Sequence, residues 1–332
     1  MIDTLYIERE VRDHPRTRAI CQRFPEATRI ECERYGEVFN RKSQNFRLQK
    51  RRPALILAHK ARNFVLDAPP QYSIGGRRNF YFSHMLNCIY DCRYCFLQGM
   101  YRSAHYVLFV NYEDFGAAIA AKAAESADEP GYFFSGYDCD SLALEPITGF
   151  VGYALPLFAG LADAYLELRT KSTQIRGLLE REALPNCVVA YSLSPRSLAQ
   201  ALEHGAPSLE RRLDAIEKLQ RQGWPIGLRF DPLIYCHDYE AVYGAFFEQV
   251  FARVRPRTLH SVSLGMFRQP EAFFNTMTRL YPEEKLFAGP LEPRDGRVSY
   301  RQEIGSAMLA FCSARILEHV PADRVFACVD HE

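Results

Sequence analysis

At 332 residues, with 48% hydrophobic and 24% charged side chains, the chain has ample material for a packed core, which excludes a disordered protein. Its net charge of +1 conceals an uneven distribution, because Arg41, Lys42, Arg47, Lys50, Arg51 and Arg52 follow one another with no acid between them. The charged start lacks a signal peptide's apolar run, and no apolar stretch approaches the ~18–20 residues that span a bilayer, so a cytoplasmic protein with no membrane partner is expected.

In chain order, residues 1–78 read as a basic, irregular extension packed on the body of the chain, with a short helix over Arg16–Phe24 and a strand over Pro53–Ala58. From Asn79 to Leu280 strands and helices alternate. The expected strands are Phe80–His84, Gly131–Ser135, Ala164–Leu168, Cys187–Ser192, Ile226–Phe230 and Leu259–Leu264. The expected helices are Asn111–Ser126, Gly149–Ala162, Thr173–Arg181, Pro195–His204, Ser208–Gln222, Asp238–Arg253 and Gln269–Leu280. Strands separated by crossover helices imply an α/β fold with a parallel sheet, and about six units make a partial (β/α)6 barrel rather than a closed eight-fold one. Chemistry in such folds gathers at the carboxyl ends of the strands. Residues 281–332 read as a β-hairpin turning at Asp295-Gly296 and a last helix near Gln302–Glu318.

Ten cysteines in a cytoplasmic setting imply thiols or metal ligands rather than a disulfide framework. Three of them, Cys88, Cys92 and Cys95, form C-x3-C-x2-C directly after the first expected barrel strand. Thiolates are the usual ligands of iron–sulfur clusters, and three of them on a four-iron cluster leave one iron open. A closed zinc site needs a fourth ligand, usually in a second C-x2-4-C or H-x3-5-H pair, and no such pair is present.

The triplet resembles the hallmark of the radical S-adenosylmethionine (SAM) superfamily, and smaller pieces are similar to its spore photoproduct lyase family. These pieces are Leu5-Tyr6-Ile7-Glu8, Cys95-Phe96-Leu97-Gln98, Arg169-Thr170-Lys171, Tyr191-Ser192-Leu193-Ser194 and Gly296-Arg297-Val298-Ser299-Tyr300-Arg301. The resemblance implies a [4Fe-4S] cluster on Cys88, Cys92 and Cys95, with SAM on the open iron. It implies reductive cleavage of SAM to a 5′-deoxyadenosyl radical, hydrogen abstraction from a damaged thymine pair in DNA, and direct reversal of the lesion. Tyr94 would lie near the adenine, Lys171 and Ser192 at the methionine portion of SAM, and Gly136 where SAM approaches the backbone. Arg229 is expected to reach SAM or a phosphate, or else to pair with Asp231. Arg297 and Tyr300 would bind the lesion, the basic run would add phosphate contacts, and an electron donor such as flavodoxin or ferredoxin is implied.

The chain departs from that family at two places. Of its two tyrosines flanking the third cysteine, the second is here Phe96, which has no O–H. Its hydrogen-donor cysteine aligns without gaps to Tyr137, and with a two-residue shift to Cys139. A radical SAM enzyme with another nucleic-acid or small-molecule substrate, and a non-catalytic metal protein that binds nucleic acid, are the alternative expectations.

Overall fold

The structure is a computed structural model that describes residues 2–70, 72–126 and 129–328. Its first sheet corrects the expectation of an irregular N-terminal extension. Thr4–Glu8 lies between Thr28–Cys32 and Leu55–Ala58, and all three strands are parallel. The helix Pro15–Arg23 makes the crossover that parallel neighbours require, with Pro15 at its start and the His14 ring accepting the Arg16 amide at 3.2 Å. A fourth parallel strand, Tyr106–Phe109, enters from beyond the cysteine motif, and Met85–Leu86 pairs antiparallel to it. The sheet escaped the sequence reading because Thr28–Cys32 has almost no buried residue and hence no apolar alternation.

The six expected barrel strands are all present, as Arg78–Tyr81, Gly131–Phe134, Ala164–Thr170, Cys187–Ser192, Ile226–Leu233 and Leu259–Met266. They pair in chain order, every pair parallel. Val325–Ala327 adds a seventh parallel strand at one edge, and Leu66–Asp67 an antiparallel one at the other, so the sheet curls without closing. Cys187–Ser192 is buried along its whole length, as a strand covered on both faces must be. The helix Leu209–Gln222 starts at Ser208, whose hydroxyl accepts the Arg211 amide, and stops at Gly223 with φ 93°. The helix expected over Thr173–Arg181 shrinks to Arg176–Leu179. The Ser172 amide donates to the Thr170 hydroxyl and the Gln174 amide to the Ser172 hydroxyl, so side chains capture donors that a longer helix would need.

Leu291–Arg294 and Arg297–Tyr300 form the expected hairpin, with Asp295 and Gly296 both at positive φ (50° and 73°), as a type I′ turn demands. Arg268–Pro270 joins it as a third antiparallel strand, and the helix Gln302–Leu317 follows. The N-terminal helix docks on the barrel through Arg16, which pairs with Glu113, donates to the Val110 carbonyl and lies 4.3 Å over the Tyr112 ring. No helix among the described residues is long and apolar enough to cross a membrane.

Beneath the mouth of the barrel, Glu167 accepts from Arg229 at 2.6 Å and from Arg169 at 2.8 Å. Burial pushes the Glu167 carboxyl up, but the two guanidinium charges outweigh it and hold the pKa at about 2. Glu167→Gln is expected to destabilise the protein by roughly 3–5 kcal/mol in urea unfolding, because Arg229 is left buried without its counter-charge. The depressed carboxylate supports the fold above its ordinary range near pH 4.5, and that contribution is expected to fade as pH falls towards 2. Acid titration of the two proteins, followed by circular dichroism, should show the wild type converging on the variant.

Candidate active site

The carboxyl ends of the barrel strands surround a cavity of about 990 Å³, open mouth included, with the cysteine loop as its lid. Cys88, Cys92 and Cys95 all line this cavity. The loop that carries them has little regular structure, so its backbone is fastened from outside. Asp91–Cys92 pairs antiparallel with Glu203–His204, and the Arg93 amide donates to the Leu202 carbonyl at 2.8 Å. The Lys50 ammonium donates to the carbonyls of Cys88 (2.7 Å) and Tyr90 (3.0 Å). The Gln269 amide donates to the Tyr94 carbonyl at 2.7 Å, and Gln98 reaches Asp91 and the Cys92 carbonyl. Lys50 and Arg47 therefore serve roles other than the expected phosphate contacts, since Arg47 pairs with Glu283.

The donor set fits an iron–sulfur cluster. The three thiols form no disulfide, and burial raises the pKa of each, that of Cys88 to about 12. Buried thiols become thiolates when a metal supplies the compensating charge. The three sulphurs do not all fall within 4.8 Å of one another, whereas thiolates about 2.3 Å from one tetrahedral zinc would. The spacing therefore suits a multi-metal cluster better than a single ion.

Lys171 and Ser192, at the ends of neighbouring strands, face the same cavity. No hydrogen bond within the described residues engages the Lys171 ammonium or the Ser192 hydroxyl, so both can serve a ligand. The Lys171 ammonium lies 5.4 Å from the centroid of the Tyr94 ring. Burial works against its charge, and the nearby Cys92 and Glu203 more than restore it. Asp140 holds this strand end in place by accepting from the Thr170 hydroxyl at 2.6 Å and from the Lys171 amide at 2.7 Å. Gly136 also lines the cavity. A Cβ there would meet the Cβ and carbonyl oxygen of Arg169 at 2.8 Å, so only glycine allows this approach.

Cys139 and Tyr137 both reach the cavity. Asp138, which accepts from the Ser83 hydroxyl, and Asp140 anchor the backbone on either side of Cys139, whose thiol is 3.6 Å from the Ser135 carbonyl. The Tyr137 ring packs against Tyr81 (4.4 Å) and Phe96 (5.5 Å). The Tyr94 ring lines the cavity while its hydroxyl is turned away, donating to Glu203.

Two expected ligand residues lie elsewhere. Arg229 does not line the cavity; it is two residues, about 6.6 Å, further down its strand than Asp231. Its partner is Glu167, while Asp231 pairs with Arg268 at 3.2 Å. Tyr300 is buried against Phe267, and its hydroxyl accepts the Tyr235 amide, so it anchors the hairpin instead of presenting a ring to solvent. Arg297 is three positions away and therefore on the opposite face of the strand, with its charge near Tyr137. Glu203, Arg212 and Gln269 escaped the sequence reading, as did the bonds by which Lys50 of the basic run clamps the cysteine loop. Each acts through a distant partner, and no local spacing marks it.

Gly136→Ala is expected to cost about 1–3 kcal/mol by overpacking against Arg169, read as a lowered thermal midpoint. Glu203→Gln should be more costly still, since it leaves Arg212 buried without a counter-charge.

The family model for spore photoproduct lyase matches residues 79–294. Spore photoproduct lyases of Bacillus subtilis (strain 168) and Geobacillus sp. (strain Y412MC61) are each 24% identical over 205 residues, or 60% of this chain. The aligned stretch spans 59% of the length of each of these relatives, under two thirds. A solved spore photoproduct lyase double mutant with bound AdoMet and dinucleoside spore photoproduct is similar in fold, at TM-score 0.85 and 17% identity over 100% of this chain and 99% of that one. A single mutant with dinucleoside spore photoproduct matches at 0.83 and 17%, over 99% and 98%. The cysteine loop, the parallel half-barrel behind it and the hairpin up to Arg294 all fall within the matched residues, and the chain belongs to the spore photoproduct lyase family.

Proposed function

We propose that this chain is a radical SAM lyase that reverses a thymine dimer lesion in DNA. The observation that carries this reading is the convergence, in one cavity, of three unbridged thiols, an unpartnered lysine ammonium and two hydrogen-donor candidates. Cys88, Cys92 and Cys95 would hold three irons of a [4Fe-4S] cluster. When bound, the cluster and SAM supply one-electron cleavage to methionine and a 5′-deoxyadenosyl radical.

The remaining roles belong to the chain's own residues. Lys171 and Ser192 bind the carboxylate and amine of the methionine portion, charge against charge. The Tyr94 ring packs beside the adenine, and Gly136 admits the cofactor to the strand backbone. The lid of cysteine loop and the buried strand ends keep water from the reacting atoms. Cys139 returns a hydrogen atom from its S–H to the product radical and is left as a thiyl radical. Phe96 takes no part in a tyrosyl relay, and Tyr137 packs against it at the cavity wall. Arg297, on the outward face of the hairpin, contacts a DNA phosphate. An extruded lesion enters more readily than an intact base, because its unstacking costs less.

Anaerobic reconstitution with iron and sulfide, followed by turnover on ultraviolet-irradiated thymine oligonucleotide, tests the reading. Near four irons and four sulfides per chain and formation of 5′-deoxyadenosine are expected, and alanine at any of the three cysteines should abolish both. Lys171→Ala is expected to raise the SAM KM about 10- to 100-fold, the worth of a charge-assisted hydrogen bond. Cys139→Ala should still cleave SAM yet lose repaired thymine, with Tyr137→Phe losing less. If irradiated DNA neither binds nor is repaired while SAM is cleaved, the lesion reading fails.

A further inference from the structure

The cysteine loop has an outer face as well as an inner one. Asp91–Cys92 is extended, so its side chains alternate between them. Cys92 and Tyr94 line the cavity, whereas Asp91 and Arg93 line a second hollow with Arg47, Lys50, Arg51 and Tyr281. The two linings share no residue, so the hollow and the three thiols are separated by the thickness of one strand. Lys50 bridges this wall directly, through its bonds to the Cys88 and Tyr90 carbonyls.

Four cations, Arg47, Lys50, Arg51 and Arg93, line the hollow against one lining acid, Asp91. Arg47 is paired with Glu283, and Arg93 with Asp91 and Glu284. Arg51 is exposed and has no acid partner among the described residues. Arg41 and Lys42, exposed in the same basic run, have none either. The one aromatic side chain of the hollow, Tyr281, is buried, with the Arg93 and Arg47 guanidinium groups 4.0 and 5.3 Å from its ring centroid. A single-stranded nucleic acid track offers open aromatic faces for bases, and this hollow offers none.

We propose that this face docks a small acidic one-electron carrier protein. One electron leaves the carrier's reduced centre and enters the cluster across the loop of residues 88–95; no bond is made or broken. The inference rests on the cluster assignment above. Charge complementarity would steer the encounter and set its orientation.

Binding of oxidised flavodoxin to the full chain, with and without reconstituted cluster, is measured by titration calorimetry. Wild-type affinity should fall between about 0.01 and 0.15 M salt, as the screening length shrinks from roughly 30 to 8 Å. The Arg51→Glu variant should bind roughly tenfold more weakly at low salt, and the milder Arg51→Ala should fall between. Cleavage of SAM driven by dithionite should be unchanged in both, with cleavage driven by reduced flavodoxin slowed. Undiminished flavodoxin binding by both variants, with dithionite-driven cleavage intact, overturns the docking surface alone. Weakened duplex DNA binding with flavodoxin binding intact overturns it in favour of a nucleic-acid track. Absence of SAM cleavage with either reductant in the wild type sinks the cluster assignment, and the docking proposal with it.

Discussion

Glu203 accepts hydrogen bonds from the Tyr94 hydroxyl, from the Ser194 hydroxyl at 3.0 Å and from Arg212, all out of contact with water. Its backbone pairs with Cys92, so the same residue fastens the cysteine loop by main chain and by side chain. Burial raises the Glu203 carboxyl, but Lys171 and Arg212 together hold its pKa below the ordinary value. Arg212 in turn donates to the Ser192 carbonyl at 3.1 Å, at the strand end where the Ser192 hydroxyl faces the cavity. One buried anion thus couples the thiol loop, the aromatic ring beside it and two strand ends. Such a network keeps its geometry only while every member is satisfied, which explains why the thiols can be held ready without regular structure around them.

The N-terminal sheet contributes the other half of that support. The loop leaves Met85–Leu86 and re-enters at Tyr106–Phe109, two strands that pair with each other in that sheet. Lys50, on the helix Phe46–Arg51 that precedes the third strand, closes the loop from outside. The segment is consequently part of the frame that holds the cysteine loop. Its basic run divides between structural bonds and exposed charge.

The family's two departures meet at one wall of the cavity. Phe96 and Tyr137 pack together, and Cys139 sits two residues on, between two aspartates whose hydrogen bonds define the loop. Phe96 carries no O–H, so in the proposed reaction hydrogen return would fall to the loop that follows the second barrel strand. That loop is held by Asp138 and Asp140 firmly enough to present a thiol.

Some of this was legible from residues alone. The triplet spacing is a local covalent fact, and it places three sulphurs in one loop whatever the rest of the chain does. Apolar runs punctuated by helices specified six parallel strands, because a strand buried on both faces has little choice of residue. The family resemblance marked Lys171 and Ser192, and their places at strand ends agreed with it, since carboxyl ends of parallel strands converge. Tertiary structure alone decided where each charge found its partner. Arg229 chose Glu167 over Asp231, because its side chain meets the Glu167 carboxylate across the strand that separates theirs, below the mouth, while Asp231 pairs with Arg268. Tyr300 turned inward because its strand alternates about Val298 and the hairpin packs on that face. Lys50 and Glu203, far apart in sequence, became clamps on one loop only through folding. Local spacing shows which atoms can bind a metal, whereas distant contacts decide how those atoms are held.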